Sequence, residues 1–322
     1  MAGWEAFRLR EMMFGTREEF DYGRCLACDS MSISEIPDGL DRFYPPQYYS
    51  FEERNPVEQD APWRRWAIGV LVEQSLFGRR RRIAGRLARR LATRPREFAV
   101  ERELITAAGL TSLDDPILDV GSGSRPVRLA TLRKLGFRRL LGIEPFMDSD
   151  ATYQGVKVRK CFLPDVDGAF QLITFHHSLE HVPDPLAELR EARRLLTSSG
   201  RCLVRTPVMA GGMWQRYGAD WVELDPPRHL FIFSRDGLER MAAAAGLELV
   251  SVAFDSGNWE FIASEQIRKD VAMYEPGSWF VDPAASGIGA DDVAAFGAEA
   301  RRLNASASGG RAAFWFRVAP GA

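Results

Sequence analysis

The chain has 322 residues, 46% of them hydrophobic and 27% charged, with a formal net charge of −2. That length allows one large domain or two modest ones, and the balanced charge excludes a global pull toward nucleic acid or a membrane surface. Four cysteines do not make a disulfide framework, no run approaches the roughly 20 apolar residues of a membrane span, and the start MAGWEAFRLREMM lacks a signal peptide's apolar core, so a soluble cytoplasmic protein is expected.

Residues 1–62 read as an irregular arm packed on a larger body. Pro37, Pro45, Pro46, Pro56 and Pro62 punctuate it, with Phe43, Tyr44, Tyr48, Tyr49 and Phe51 interleaved. Cys25 and Cys28 form a CxxC pair, half of a tetrahedral zinc set. The histidines all lie elsewhere, so the pair reads as structural and no metal ligands are assigned. Residues 63–95 read as one long helix, with Ile68, Leu71, Val72, Leu76, Ile83, Leu87 and Leu91 at helical spacing. Nine arginines fall between Arg79 and Arg96 with no acid among them. A peripheral contact with membrane headgroups or a lipid-linked substrate is the functional reading of this stretch. A solvated face in an Arg-rich chain is the plain one, since only four of 42 basic residues are Lys.

From residue 97 a short helix leads into alternating strands and helices. Strands are expected at Ile117–Val120, Leu140–Glu144, Val156–Phe162, Phe170–Phe175, Arg201–Thr206, Leu247–Phe254 and Ala312–Val318. Helices are expected at Pro126–Leu135, Pro185–Leu196 and Arg235–Ala245, the last capped by Ser234 and ended by Gly246. Residues 255–310 read as an insertion with two helices, 260–271 and 290–303. The domain reading is an arm and basic helix over 1–100 and a catalytic-type domain over 101–322. The fold class is α/β, Rossmann-like, with a mainly parallel seven-stranded sheet flanked by helices.

The stretch Ile117–Glu144, ILDVGSGSRPVRLATLRKLGFRRLLGIE, is one strand–turn–helix–strand unit. Its glycines allow close backbone approach to a ligand, and Glu144 ends the second strand where a carboxylate can accept from a ribose diol. The unit therefore reads as nucleoside-binding. A dinucleotide turn needs GxGxxG, but Gly121 and Gly123 are followed by Pro126, and no P-loop occurs. A nicotinamide-dependent sugar enzyme would need that same dinucleotide glycine pattern, which does not occur.

LDVGSGS, LLGIEPF, HHSLEHVPDP and DPPRHLFIFS together resemble class I S-adenosylmethionine-dependent methyltransferases, nearest the subgroup found among bacterial polysaccharide and O-antigen biosynthesis genes. FIASEQ and the late FWFRV extend the likeness, which covers most of residues 20–318. The CxxC arm resembles the second half of a zinc-type arm in relatives, without the upstream pair. The resemblance implies S-adenosyl-L-methionine as cofactor, cradled by Asp119, Gly121, Ser122 and Gly123, with Glu144 on the ribose. Leu163, with Phe162 beside it and Asp165 near the exocyclic amine, is placed against the adenine. The family's third glycine is Arg125 here, and the aspartate that usually follows the Phe of strand four is Gln171.

Methyl transfer to a hydroxyl is an in-line displacement that needs an aligned acceptor and a proton acceptor, for which His is usual. His176 and His177 follow strand four and are placed at the cofactor. His181 precedes a helix, and His229 lies in the loop after strand five. Both loops open on the edge of the glycine turn, so His229 and His181 are the catalytic candidates, with a packing role as the plain alternative for each. Trp221 and Arg228 are the substrate candidates, Trp214 and Tyr217 sharing their loop. The expected activity is O-methylation of a sugar, polysaccharide-type or other small-molecule acceptor, with no nucleic-acid partner and no oligomeric state implied. A non-catalytic partner or scaffold subunit is the alternative, motivated by Arg125 and Gln171.

Overall fold

The computed structural model describes residues 3–44, 61–78, 82–93 and 97–321. Pro45, Pro46, Pro56, Tyr48, Tyr49, Phe51 and the arginines at 79–81, 94 and 96 lie outside that description.

Residues 1–62 are not irregular throughout. β1 (Trp4–Arg10), β2 (Glu19–Cys25) and β3 (Met31–Ile33) form an antiparallel meander. Its alternation is faint because one face is wet: in β1 and β2 only Leu9 and Tyr22 are buried.

The expected single helix over 63–95 is two helices, α1 (Pro62–Leu76) and α2 (Arg82–Leu91). Gly78 follows α1 with φ +64°, a left-handed residue that stops a helix. α2 returns against α1 through small residues, with Ala84, Ala88 and Ala92 on Ala67, Val70 and Leu71. Ile83, Leu87 and Leu91, expected in the core, are exposed as a result. α3 (Glu97–Ala107) leads into the sheet.

The central elements then follow in order: β4 (Ile117–Val120), α4 (Val127–Lys134), β5 (Leu140–Ile143), β6 (Ala151–Tyr153), β7 (Val156–Arg159), β8 (Phe170–His176), α5 (Pro185–Leu195) and β9 (Leu196–Pro207). After them come α6 (Gly212–Tyr217), β10 (Phe231–Ile232), α7 (Arg235–Ala244), β11 (Leu247–Phe254), α8 (Asn258–Arg268), α9 (Ala290–Ala305) and β12 (Arg311–Val318). Among the described residues the large sheet has eight strands, in the order β11-β12-β9-β8-β4-β5-β7-β6. Strands β7, β5, β4, β8 and β9 are parallel. β12 enters antiparallel between β9 and β11, and β6 is a short edge strand beyond the seven expected.

Both faces of the sheet are covered. Leu118, Ile173 and Val204 turn toward α5 and α7, while Ile117, Leu172 and Leu203 turn toward α1, α3 and α4. Cys202 is buried in the first layer, and burial pushes its thiol up to about 12. Gln171 ties the start of β8 to the β9 turn, accepting from Thr197 Oγ1 at 2.8 Å and donating to Ser199 O at 3.1 Å, far along the strand from its carboxyl end.

A third core joins the N-terminal meander to the insertion. Leu9, Tyr22 and Met31 pack with Trp221, Leu224 and Phe261. β10, inside the segment after β9, completes the small sheet by pairing with β3, Phe231 opposite Ser32. The N-terminal segment thus roofs the carboxyl edge of the main sheet, and every residue from Trp221 to Leu230 is buried. No helix among the described residues is long and apolar enough to cross a membrane.

Candidate active site

The site lies at the carboxyl ends of β4, β5 and β8. After β4 the chain turns through Gly121 and Gly123 at φ +69° and +65°. The backbone N–H groups of Gly121 and Ser122 both donate to Ile143 O at 3.0 Å, which ties the turn to β5. A Cβ on Gly121 would sit 2.6 Å from Ser178 Cβ, so side chains are excluded there by conformation and by space. Ser178 donates to Val120 O at 2.7 Å and thereby clamps the turn to the end of β8. Arg125 stands in no left-handed conformation, so the third family glycine is not required by this backbone.

Glu144 faces the turn. Its carboxylate accepts from Gly123 N and Phe146 N, each at 3.2 Å, and burial raises its pKa against those two hydrogen bonds. Asp119 accepts from Thr174 Oγ1 at 2.6 Å. Burial pushes its carboxyl up to about 6, partly opposed by Thr174 and the Arg128 charge. Beyond the turn, Phe146 is 80% and Phe162 57% exposed, with ring centroids 6.4 Å apart and edges to faces. Exposed aromatic pairs of this kind offer a slot to a flat base. Leu163, expected against the adenine, is instead buried in the core below, and its neighbour Phe162 carries the exposed ring. Asp165 caps the turn by accepting from Phe162 N at 3.2 Å.

His176 follows on β8 with both ring nitrogens buried and without hydrogen-bond partners. Burial and the Arg128 charge hold it well below the usual imidazole range. His177 has φ +52°, and its Nδ1 lies 3.2 Å from Glu180 Oε1. Orphaned imidazole nitrogens, a cradle that a Cβ would fill and a ribose-type carboxylate fit S-adenosylmethionine: Glu144 would hold the diol, the glycine turn the methionine end and the phenylalanines the base. When bound, that cofactor supplies the activated methyl group.

The structure brings His181 and His229 together, with ring centroids 4.8 Å apart. His181 Nδ1 donates to Arg228 O at 2.9 Å, and His229 Nδ1 donates to Glu223 O at 2.7 Å. A carbonyl only accepts, so both hydrogens are on Nδ1 and both Nε2 lone pairs are left for other work. Burial and the neighbouring His229 hold His181 down at about 4. His229 is buried, whereas His181 keeps some exposure. Tyr44 Oη reaches His181 Nδ1 at 3.2 Å.

Trp221 and Arg228, expected against the acceptor, are instead structural. Trp221 is buried beneath Gly310, where an added Cβ would meet its ring at 2.8 Å. Arg228 is 0% exposed and its donors are taken: Nε and Nη2 by Asp225, Nη2 also by Glu11 at 2.7 Å, and Nη1 by Phe43 O at 3.1 Å. Trp214 and Tyr217 lie on α6, Trp214 edge-on to Phe7 and Tyr217 bonded to Glu265.

Sequence reasoning missed several residues at this edge. Glu180 sits beside His181 in the same motif but carried no separate signal. Arg205 pairs with Asp255, and Arg311 lies 3.3 Å from Glu260 and 3.6 Å from Glu223. These residues come from β9, β12 and the insertion, so only the fold assembles them.

A sequence model described as a methyltransferase domain matches residues 78–252, more than half of the chain. The chain belongs to the methyltransferase domain family. This methyltransferase has the class I fold, and its methyl donor is S-adenosylmethionine. No curated protein sequence matches it. Solved structures similar to it include an S-adenosylmethionine-dependent methyltransferase from Thermotoga maritima, 17% identical with a TM-score of 0.40, covering 69% of this chain and 92% of that one. The CcbJ methyltransferase from Streptomyces caelestis is 16% identical with a TM-score of 0.40, covering 70% and 97%. Geranyl diphosphate C-methyltransferase from Streptomyces coelicolor A3(2), in complex with Mg2+, geranyl diphosphate and S-adenosyl-L-homocysteine, is 16% identical with a TM-score of 0.43, covering 86% and 95%.

Proposed function

We propose that this methyltransferase acts on a hydroxyl of a sugar, polysaccharide-type or other small-molecule acceptor, with His181 receiving the hydroxyl proton. The observation that carries this reading is the imidazole pair. His181 and His229 converge from two loops, and His181 follows Ser178, the residue that clamps the glycine turn. The in-line geometry requires the acceptor oxygen opposite the departing sulfur. Bound S-adenosylmethionine would supply the methyl group to the acceptor oxygen, and His181 Nε2 would take the hydroxyl proton. His229, buried behind, fixes the plane of that ring. The sequence resemblance to enzymes encoded with polysaccharide biosynthesis supports a glycan-type acceptor.

Calorimetry with S-adenosylmethionine and S-adenosylhomocysteine, followed by mass detection of methylated product over a panel of sugars and small hydroxyl compounds, tests it. His181→Ala should keep cofactor affinity within about twofold and lower turnover by ~10²-fold or more. Full turnover in that variant removes His181 as the base. Tight cofactor binding with no product across the panel would point to the scaffold role instead.

A further inference from the structure

We propose that Glu180, His181 and His229 form a binding site for a divalent transition-metal ion such as zinc. One ligand atom from each of the three lies within 4.8 Å of the others, the one such group among the described residues. The two imidazoles are already oriented as ligands. Each donates Nδ1–H to a backbone carbonyl, Arg228 O or Glu223 O, and so leaves its Nε2 lone pair to ligate. That outer-shell carbonyl bond is the usual support of a metal-bound histidine.

Glu180 supplies the independent observation. Its side chain is 0% exposed, and Oε1 is occupied by His177 Nδ1. Oε2 is buried with no hydrogen-bond partner. An unsatisfied buried oxygen is costly, more so when charged, and a cation removes that cost. Asp225 Oδ2 lies 3.9 Å from His229 Nε2, but both Asp225 oxygens already accept from Arg228. It therefore balances charge without ligating. Two imidazoles and one carboxylate are the donor set of zinc and non-haem iron sites that keep a position open. Metal–ligand bonds of about 2.0–2.2 Å require ligand atoms about 3.4 Å apart, so the three close by at most about 1.4 Å on the ion.

His181 is the partly exposed member of the three, so the site is reached from its side. What the ion would do there rests on the hydroxyl-acceptor reading. An acceptor oxygen bound to it would lose its proton more readily, to solvent, while in the cation-free protein His181 remains the proton acceptor. The site itself stands on its geometry alone.

The test uses the full chain, stripped with a chelator and then titrated with Zn2+ by calorimetry and with Co2+ by visible absorption. One equivalent should bind, and the Co2+ spectrum should lack thiolate charge-transfer bands. Glu180→Gln and His229→Ala should each weaken Zn2+ binding at least tenfold. Cys25→Ser/Cys28→Ser should leave it unchanged, which separates this site from the CxxC pair. Thermal melting and S-adenosylhomocysteine affinity check that each variant is folded, and the wild-type Co2+ spectrum decides even if one is not. No binding, a thiolate spectrum, or binding lost only with the cysteines overturns the proposal. Cation binding without methylation of any hydroxyl leaves the site standing and removes the acceptor reading. His181-dependent methylation by protein that binds no cation does the reverse.

Discussion

Asp119 pays for its position in stability. Its carboxyl is ordinarily near 3.8 and is raised to about 6 by burial, with Thr174 and Arg128 opposing and Glu144 adding to the rise. A raised folded-state pKa means that the ionised form destabilises the fold. The penalty is absent below about pH 4, grows as pH rises to about 6, and is complete above it, at about 3 kcal/mol. Asp119→Asn, which can still accept from Thr174, should therefore raise the denaturation midpoint at pH 8 and leave it unchanged at pH 4. The same charge favours a cationic donor. Wild-type affinity for S-adenosylmethionine should be full above pH 6 and fall as pH drops through it, more than for uncharged S-adenosylhomocysteine; calorimetry across pH 5–8 would show equal slopes if Asp119 has no such role. At this scale Asp119, the glycine turn and the two histidines were legible, because strand order alone puts the ends of β4, β8 and β9 on one edge. Arg228 was not. An arginine beside a histidine in a loop looks available for a ligand, and nothing near it in sequence announces that Glu11 will take its charge.

The element that holds the His181 and His229 loops together is the segment between β9 and α7. Its ten residues from Trp221 to Leu230 are wholly buried, and Arg228 binds them to the N-terminal segment through Glu11 and Phe43 O, with Phe14 under its guanidinium at 5.4 Å. Tyr22 Oη adds a 2.8 Å bond to His229 O. Arg228→Met would strand two buried carboxylates, Glu11 and Asp225. The expected loss is about 3–5 kcal/mol in urea denaturation, and a loss under 1 kcal/mol would mean that the network is dispensable. The parallel strands could be read from sequence because burial on both faces makes them continuous apolar runs. β1 to β3 could not, since most of their side chains face water and β10, the partner of β3, lies about two hundred residues away. The break between α1 and α2 was hidden for a different reason: Ile83, Leu87 and Leu91 continue the helical period of α1 across Gly78, although they end up outside the core.

At the scale of the whole molecule, two sheets share one working edge. The eight-stranded sheet supplies the cofactor cradle, and the small sheet, with β10 as its last strand, covers the loops that carry His181 and His229. Under the proposed function, cofactor and acceptor roles belong to different layers. Substitutions at Glu144 act on the first layer, and substitutions at Arg228 on the second.

The strand exchange at β10 also limits how this enzyme can be recombined. Residues 221–232 and residues 4–33 form one interlocked part although the first lie inside the matched family domain, residues 78–252, and the second lie before it. A chimaera that imports only the loop of a relative would leave Glu11, Tyr22 and the edge of β3 facing the wrong partners. It should express as aggregated protein, while one that imports the N-terminal segment and the loop together should be soluble and bind the cofactor. Soluble expression and S-adenosylhomocysteine binding of the paired and unpaired chimaeras would decide it. Acceptor choice, on this view, is inherited as a two-piece cassette.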